Sequence, residues 1–232
     1  MTTPLRAGAC VSFAVLSAWV GNALAFVRRP SVATTMVGGV WLLMVIAAMV
    51  CLAAYTHRPG NVEAAPRMWP ADSNIPFAGH RPALILLAHP RCPCTRATIG
   101  ELELLMARAH ERLEAHVLFV RPAGTAESWA ETDLWRTASA IPGVTVHRDD
   151  GGVEMQRFRT AISGETLLYG SDGQLLFHGG ITSSRGHAGD NRGRSAILAV
   201  LERKSGAEPA TPVFGCPLFT PESQKPHDAC EK

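Results

Sequence analysis

The sequence predicts an α/β domain, a central mixed β-sheet with flanking helices, behind N-terminal transmembrane helices. Three observations support this prediction. Two uncharged apolar stretches precede residue 56, and strand-like and helix-like patterns alternate from residue 83 onward. Near the end, two strand patterns joined by a tight turn are followed by a last helical pattern. Such alternation is typical of strands and helices packed in layers.

The composition favours a membrane segment and gives no support for nucleic-acid binding. Of 232 residues, 47% are hydrophobic and 18% are charged, whereas about 25% are charged in a typical soluble domain. The 22 Lys and Arg residues nearly balance the 20 Asp and Glu residues. A nearly neutral chain lacks the basic surface that attracts DNA or RNA, so we expect no nucleic-acid partner.

Residues 36–55 (MVGGVWLLMVIAAMVCLAAY) carry no charge. They are long enough to cross a bilayer and apolar on every side, which predicts a transmembrane helix. Residues 9–27 are also uncharged but contain three polar residues. This stretch is a second spanning helix, the apolar region of a signal peptide, or sequence upstream of the true start. We favour a spanning helix because another one follows at once.

The orientation follows from Arg28 and Arg29, which lie between the two stretches. Basic residues next to spanning helices remain in the cytoplasm. Residues 1–55 are therefore expected to anchor the chain in the inner (cytoplasmic) membrane, with the rest on the periplasmic side. The membrane is thus one expected partner.

Three further segments follow the anchor. Residues 56–82 contain five prolines and predict a semi-extended tether. The domain itself is expected over residues 83–204. Residues 205–232 are again proline-rich and predict an irregular, cysteine-containing tail.

The elements of the domain can be predicted in order. Residues 83–88 (ALILLA) form a continuous apolar run, typical of a central buried strand. Apolar residues then recur at helical spacing from Ile99 to Leu113, and residues 116–120 (HVLFV) predict a second strand. Ser128 and Glu131 fit a capping box that opens a helix to about Ala140.

The second half of the domain predicts a hairpin and a final helix. A short strand at 144–147 and a short helix at about 153–160 come first. Strands at 166–169 and 174–178 are joined by a Ser-Asp-Gly turn. The last helix is expected at about 191–203, with Asp190 as its N-cap.

The sequence Cys92-Pro93-Cys94 lies between the first strand and the first helix of the domain. Proline suits the first helical position and favours an extended residue before it, so Cys92 is the expected N-cap. Both thiols then lie at the positive end of the helix dipole, which favours the reactive thiolate. Arg91 and Arg96 flank the pair and add positive charge.

A strand that ends in a cysteine pair at a helix N-terminus resembles the thioredoxin superfamily, especially its membrane-anchored extracytoplasmic branch. More narrowly, HPRCPCTRA, GGITSSRGHAGDN and VFGCPLF are similar to a small group labelled RedB. The resemblance implies a thioredoxin-like fold. Two features depart from it. The spacing is Cys-x-Cys rather than Cys-x-x-Cys, and Glu165 stands where thioredoxins have a cis-proline. We expect a trans peptide bond there, because a cis bond before a non-proline residue costs about 3 kcal/mol.

Two other segments are expected near the cysteine pair. Antiparallel pairing of the hairpin places the loop 179–191, with Arg185 and His187, at the edge where the first strand ends. In the tail, Cys216 lies in an apolar island, VFGCPLF, which is expected to dock. The tail is long enough for Cys216 to return to the cysteine pair.

These observations favour a membrane-tethered, periplasm-facing thiol-disulfide oxidoreductase that needs no cofactor and acts on a protein thiol or disulfide. Cys92 would be the attacking thiolate, and Cys94 or Cys216 would be the resolving thiol. Two alternatives remain. One is an extracytoplasmic module that binds or delivers a metal, Cu or Zn, because thiolates and imidazoles are ligands for both. Its ligands would be Cys92, Cys94, Cys216, His89 and His187. The other is a non-catalytic interaction domain.

Overall fold

The structure is a computed structural model that describes residues 31–218. The predicted helix at 9–27, the Arg28-Arg29 pair and Cys230 lie outside these residues. Contacts divide the chain into two units, with the boundary after Leu52.

Helix α1 spans Val32–Thr56 and contains the stretch predicted to cross a membrane. Its residues up to Tyr55 are all exposed, and it has no polar face. Within the described part of the chain, it is the one helix long and apolar enough to cross a membrane.

The second unit is built on one five-stranded sheet. Its strands are β1 (Ala83–Ala88), β2 (Glu114–Arg121), β3 (Val144–Asp150), β4 (Glu165–Tyr169) and β5 (Leu175–Gly180). The strand order is β3-β2-β1-β4-β5. Strand β1 is parallel to β2 and antiparallel to β4, and β5 is antiparallel to β4. The sheet is therefore mixed, as predicted.

Helices cover both faces of the sheet. They are α2 (Pro93–Ala109), α3 (Asp133–Ser139), α4 (Val153–Arg157) and α5 (Arg192–Leu201). Apolar residues of α2, α3 and α5 form one core with alternate residues of β1 and β2. The remaining residues of the same strands pack with α4 in a second core. Because both faces are covered, every residue of β1 is buried, which explains its continuous apolar sequence.

Three predicted element boundaries were wrong. The Ser128 capping box does not form; Glu127–Trp129 is a 3-10 turn, and α3 begins after Thr132. Strand β3 continues through charged residues to Asp150, since its side chains are mostly only partly buried. The N-cap of α5 is Asn191, whose side-chain oxygen accepts a hydrogen bond from the Arg194 N–H.

The segments predicted as a tether and a tail also contribute to the sheet region. Trp69 stacks on Phe77 at 4.7 Å between ring centroids and contacts Tyr169 edge-on. In the tail, the His178 N–H donates to Pro209 O and the Thr211 N–H donates to His178 O. The tail therefore covers the outer edge of β5, which would otherwise leave unpaired backbone groups exposed.

Candidate active site

Cys92 and Cys94 lie at the start of α2, immediately beyond the C-terminal end of β1. Cys92 is the N-cap in an extended conformation (φ −94°, ψ 126°), and Pro93 begins the helix. This is the geometry that the Cys-Pro-Cys sequence predicts. The Cys92 side chain makes no conventional capping hydrogen bond. The first turn of α2 therefore lacks the side-chain oxygen that usually accepts from its backbone N–H groups.

The pKa values of Cys92 and Cys94 are shifted in opposite directions. Burial raises the pKa of Cys92, but the backbone N–H groups of Thr95 and Cys94 and the neighbouring thiols outweigh it, and the net pKa is lowered. Burial and then the negative charge of a Cys92 thiolate raise the pKa of Cys94 to about 12. Cys92 is therefore the thiol most readily ionised, and Cys94 keeps its proton.

A third thiol joins this pair. The sulfur atoms of Cys92, Cys94 and Cys216 all lie within 4.8 Å of one another. All three are free cysteines. Burial, followed by the charge of a Cys92 thiolate, raises the pKa of Cys216. The structure thus brings the three sequence-predicted cysteines together, with one acidic thiol beside two that stay protonated.

The tail is held beside the cysteine pair by backbone pairing. The Ser163 N–H donates to Cys216 O at 2.9 Å, and the Leu218 N–H donates to Ala161 O at 2.9 Å. A Cβ at Gly215 would lie 1.8 Å from Ser163 O, so only glycine permits this approach. Leu218 is buried in the second core. These contacts fix Cys216 in position.

The segment that receives the tail is itself held by a buried carboxylate that the sequence did not predict as functional. Glu165 is the first residue of β4 and is fully buried. One of its carboxylate oxygens accepts from the Ala161 and Ile162 N–H groups, and the other lies 2.7 Å from His178 Nε2. Its peptide bond is trans, as expected. The only signal in the sequence was its place at the position where thioredoxins have a cis-proline.

A second polar contact links this segment to the cysteine helix. The Thr95 and Ser163 hydroxyls lie 2.6 Å apart, and Thr95 also donates to His89 O. The His89 N–H donates to the Ser163 hydroxyl. The end of β1, the first turn of α2 and the tail-binding segment are therefore held together by buried hydroxyls. Thr95 and Ser163 were not predicted from sequence.

Arg185 of the loop 179–191 reaches the tail, in agreement with the predicted placement of that loop. Its guanidinium donates to Gly215 O and lies 5.1 Å from the centre of the Tyr55 ring. Its charge opposes the rise in the pKa of Cys216. Arg185 Nε is buried without a hydrogen-bond partner among the described residues.

The two histidines considered as metal ligands face other groups. His89 Nδ1 accepts from the Arg91 N–H, and its ring packs edge-on against Trp129. Burial, then the charge of Arg91, lowers the pKa of His89. His187 is exposed, with Nδ1 2.9 Å from Arg185 O. Among the described residues, the cluster of ligand atoms within 4.8 Å contains the three cysteines and neither histidine.

The loop that carries Arg185 is fixed to α2 by another buried carboxylate. Glu101 is fully buried and accepts from the Gly189 N–H, from the Asn191 side-chain amide and from the Arg194 guanidinium. Asp190, the N-cap predicted from sequence, is instead exposed and pairs with Arg194 at 3.1 Å.

Comparison with known proteins gives similarity at the level of structure. No protein-family model and no curated protein sequence matches the chain. A hypothetical protein of Sinorhizobium meliloti 1021 superposes with a TM-score of 0.52 at 19% identity, covering 69% of this chain and 93% of its own. An uncharacterized conserved protein from Geobacillus kaustophilus gives 0.51 at 16% identity, covering 71% and 94%. A secreted disulfide oxidoreductase of Mycobacterium tuberculosis gives 0.37 at 18% identity, covering 55% and 84%.

The first two similarities, at 19% and 16% identity, concern the fold alone. The sheet is mixed, with β1 at its centre and helices on both faces. The fold is thioredoxin-like. This confirms the fold class predicted from the sequence. Cys92 and Cys94 lie just beyond the end of β1, its central strand.

Proposed function

We propose that the chain is a membrane-tethered thiol-disulfide oxidoreductase whose attacking group is the Cys92 thiolate. The observation that carries this proposal is the cluster of three free thiols within 4.8 Å at a helix N-terminus. Of the three thiols, only Cys92 has a lowered pKa, and a thiolate is the form that attacks a disulfide. The thioredoxin-like fold alone would not carry the proposal, because one fold serves many functions.

The reaction needs a second thiol to release the product. The Cys92 thiolate attacks a disulfide R–S–S–R, forms a Cys92–S–S–R mixed disulfide and expels RS⁻. A resolving thiolate then attacks the Cys92 sulfur, forms an internal disulfide and expels the second RS⁻. The two thiol protons leave with the products or pass to water. Two electrons pass from the protein dithiol to the substrate, and the reverse sequence oxidises a dithiol.

Cys216 suits the resolving role better than Cys94. A disulfide between Cys92 and Cys94 closes a very small ring, and such bonds are strained and easily reduced. Burial is the largest cause of the raised Cys94 pKa, and it persists when Cys92 is in the mixed disulfide, so a Cys94 thiolate stays disfavoured in the second attack. Cys216 also lies within 4.8 Å of Cys92, comes from a separate segment, and lies next to the Arg185 cation, which lowers its pKa.

Trapping the intermediate tests this assignment. The full chain in non-ionic detergent is mixed with a small disulfide, acid-quenched and analysed by peptide mapping. We expect Cys216→Ser to accumulate the Cys92 mixed disulfide at least tenfold over wild type. Cys94→Ser should instead still form a Cys92–Cys216 bond. A Cys92–Cys94 bond in wild type would exclude Cys216 as the resolving thiol.

The tether and the location belong to the same proposal. Helix α1 has the length and composition of a membrane span, and the Arg28-Arg29 pair before it supports a cytoplasmic location for the N-terminal end of that helix. The domain would then lie in the periplasm, where disulfides persist, as the resemblance to the membrane-anchored branch and the RedB group implies. A phosphatase reporter fused after Lys232 should be active, and an inactive reporter would place the thiols in a reducing compartment.

A second candidate function is binding or delivery of a soft metal ion. Three thiol sulfurs within 4.8 Å could converge on one ion, and thiolates favour Cu(I). Zn fits less well, because it prefers four ligands and neither His89 nor His187 joins the cluster. The metal would supply no redox step here. Anaerobic titration with Cu(I) should give one ion per chain, lost in Cys216→Ser, and substoichiometric binding would exclude this candidate.

A further inference from the structure

The surface around Cys92 limits the kind of disulfide that can reach it. Partners that are extended polypeptides commonly bind by adding a strand to a free sheet edge. Beside the cysteines, the backbone of Ala161 and Ser163 is already bonded to the tail. The outer edge of β5 is paired with residues 209–211. The docked tail therefore occupies the backbone positions nearest the cysteines at which an extended polypeptide could pair.

The tail is held by more than these backbone bonds. Val213 and Leu218 are buried, with 1% and 4% of their surface exposed. The Val213 carbonyl accepts from the Gly60 N–H, and the Thr211 hydroxyl donates to Gly180 O. Displacing the tail would expose both apolar side chains and leave these polar groups unpaired. A polypeptide partner would have to offset that cost before it could pair.

On another side, Cys92 contributes to the wall of a cleft. This cleft of about 270 Å³ opens beside the start of α2. It is lined by Pro90, Arg91, Cys92, Pro93, Arg96, Thr132, Asp133 and Leu134. Cys92 is the one cysteine among these lining residues, and 5% of its surface is exposed. A volume of this size suits a small molecule.

Apart from the Cys92 thiolate itself, the residues that line the cleft carry one uncompensated positive charge. Arg96 forms an ion pair with Asp133 at 2.5 Å, which leaves Arg91 as the uncompensated charge. The Arg91 guanidinium packs over the Trp129 ring at 4.9 Å from its centre, and within residues 31–218 it has no carboxylate partner. Guanidinium groups bind carboxylates strongly and bidentately. The cleft therefore favours a substrate that carries an anionic group near its sulfur.

We propose that the Cys92 thiol exchanges with low-molecular-weight disulfides that carry carboxylates, which it reaches through the Arg91–Arg96 cleft while the docked tail excludes extended polypeptides. The proposal rests on the oxidoreductase function above and narrows its substrate class from a protein partner to a small anionic one. The exchange follows the same two steps as the proposed oxidoreductase reaction. The small disulfide is the oxidant, and two small thiols are its products.

A charge series of disulfides tests the proposal. The full chain in non-ionic detergent, reduced beforehand, is mixed with dithiodiglycolate (anionic), hydroxyethyl disulfide (neutral) or cystamine (cationic). Formation of the Cys92 mixed disulfide is followed by quenched mass spectrometry. Each rate is divided by the rate of the same disulfide with free mercaptoethanol, which removes intrinsic reactivity and thiolate repulsion. We expect the normalised rate of the anion to exceed that of the cation roughly tenfold at low ionic strength, and salt to reduce the ratio.

Two arginine variants locate the effect. Arg91→Gln should bring the anion-to-cation ratio close to one, because it removes the uncompensated charge. Arg136→Gln is the matched control, because it removes an exposed arginine of α3 that does not line the cleft. The anion-to-cation ratio should be unchanged in this variant. Equal normalised rates for the three disulfides in wild type overturn this proposal while leaving the oxidoreductase function intact. Failure of Cys92 to react with any of them overturns the oxidoreductase function itself.

A tail variant tests the exclusion of polypeptides. Gly215→Val places side-chain atoms where Ser163 O lies and should undock the tail. Its Cys92 should form a mixed disulfide with a disulfide-linked unfolded peptide about tenfold faster than wild type does. Circular dichroism checks that the variant remains folded. If wild type already reacts with the peptide as fast as with dithiodiglycolate, the tail does not exclude polypeptides and the proposal fails.

Discussion

Helices α2 and α5 both begin near the loop that carries Arg185, but their first turns are completed by different chemistry. At α5, the Asn191 side-chain oxygen accepts from the Arg194 N–H at 2.8 Å. At α2, the N-cap is Cys92, which offers sulfur instead of oxygen. The first arrangement stabilises a helix. The second leaves N–H groups free to stabilise a thiolate, so α2 has a more acidic thiol in place of a side-chain cap.

The largest expected effect comes from giving α2 an ordinary cap. Cys92→Ser should lower the rate of thiol-disulfide exchange at least a thousandfold, because a hydroxyl does not attack disulfides. The same change should raise stability by about 0.5 kcal/mol, since serine is a preferred N-cap. Exchange rates and urea unfolding measure the two effects. A variant that loses activity and stability together would contradict the proposed opposition between capping and reactivity.

The pH dependence of alkylation measures the acidity of Cys92 at the N-terminus of α2. A thiol reacts as its thiolate, so a lowered pKa shifts the onset of the reaction to lower pH. Cys92 should therefore react with iodoacetamide at pH 6 about tenfold faster than free cysteine, which is less than about 1% ionised there. Cys94, with its pKa of about 12, should be unreactive at this pH. Mass spectrometry of timed samples identifies the alkylated residue. Reaction of Cys92 at the rate of free cysteine would show that the helix end does not stabilise its thiolate.

The cap of α5 should matter for stability. Asn191→Ala removes both the capping oxygen and an amide that donates to Glu101, and should cost about 1–2 kcal/mol of unfolding free energy. Asn191→Ser keeps an oxygen cap but loses the amide donor. The difference between these variants in urea unfolding should be about 1 kcal/mol, the contribution of the cap alone. Equal stabilities would mean that the Asn191 oxygen contributes nothing.

The smallest effect is expected from the hydroxyl contact at α2. Thr95→Val removes the bonds to the Ser163 hydroxyl and His89 O with little change of shape, at a cost of about 1 kcal/mol. Because the Thr95 N–H is retained, alkylation of Cys92 should change less than twofold. Thr95→Ser serves as the control, since it keeps the hydroxyl. A large loss of Cys92 reactivity in Thr95→Val would assign the low pKa to the hydroxyl instead of the helix end.

The sequence predicted those features that local chemistry determines. A continuous apolar run identified β1, and the order Cys-Pro-Cys identified the N-cap of α2. It failed where a residue's role depends on distant partners. Glu101 looks like a surface residue in sequence, yet it is buried because Gly189, Asn191 and Arg194 satisfy its oxygens. Glu165 is buried with His178 of the next strand against one of its oxygens. Such partners leave no periodic signal along the chain.

Distant contacts also decide where some helices and strands begin and end. Asp190 and Asn191 are both good N-cap residues, and only the contact of the Asn191 amide with Glu101 selects the second. The charged half of β3 was missed because an edge strand needs no apolar alternation there. For Cys216, the apolar island predicted docking, but its position depends on Gly215 meeting Ser163, a contact without a sequence pattern.

The position of Cys216 after all five strands has a consequence for how the protein is made. A chain emerges from the ribosome or a translocation channel from its N-terminus, so β1 and the start of α2 appear long before the tail. During that interval Cys92 and Cys94 exist without their third partner, and the backbone of Ala161 and Ser163 is unpaired. The nascent domain is then most open to thiols and disulfides around it. Docking of the tail against Ser163 ends this exposure.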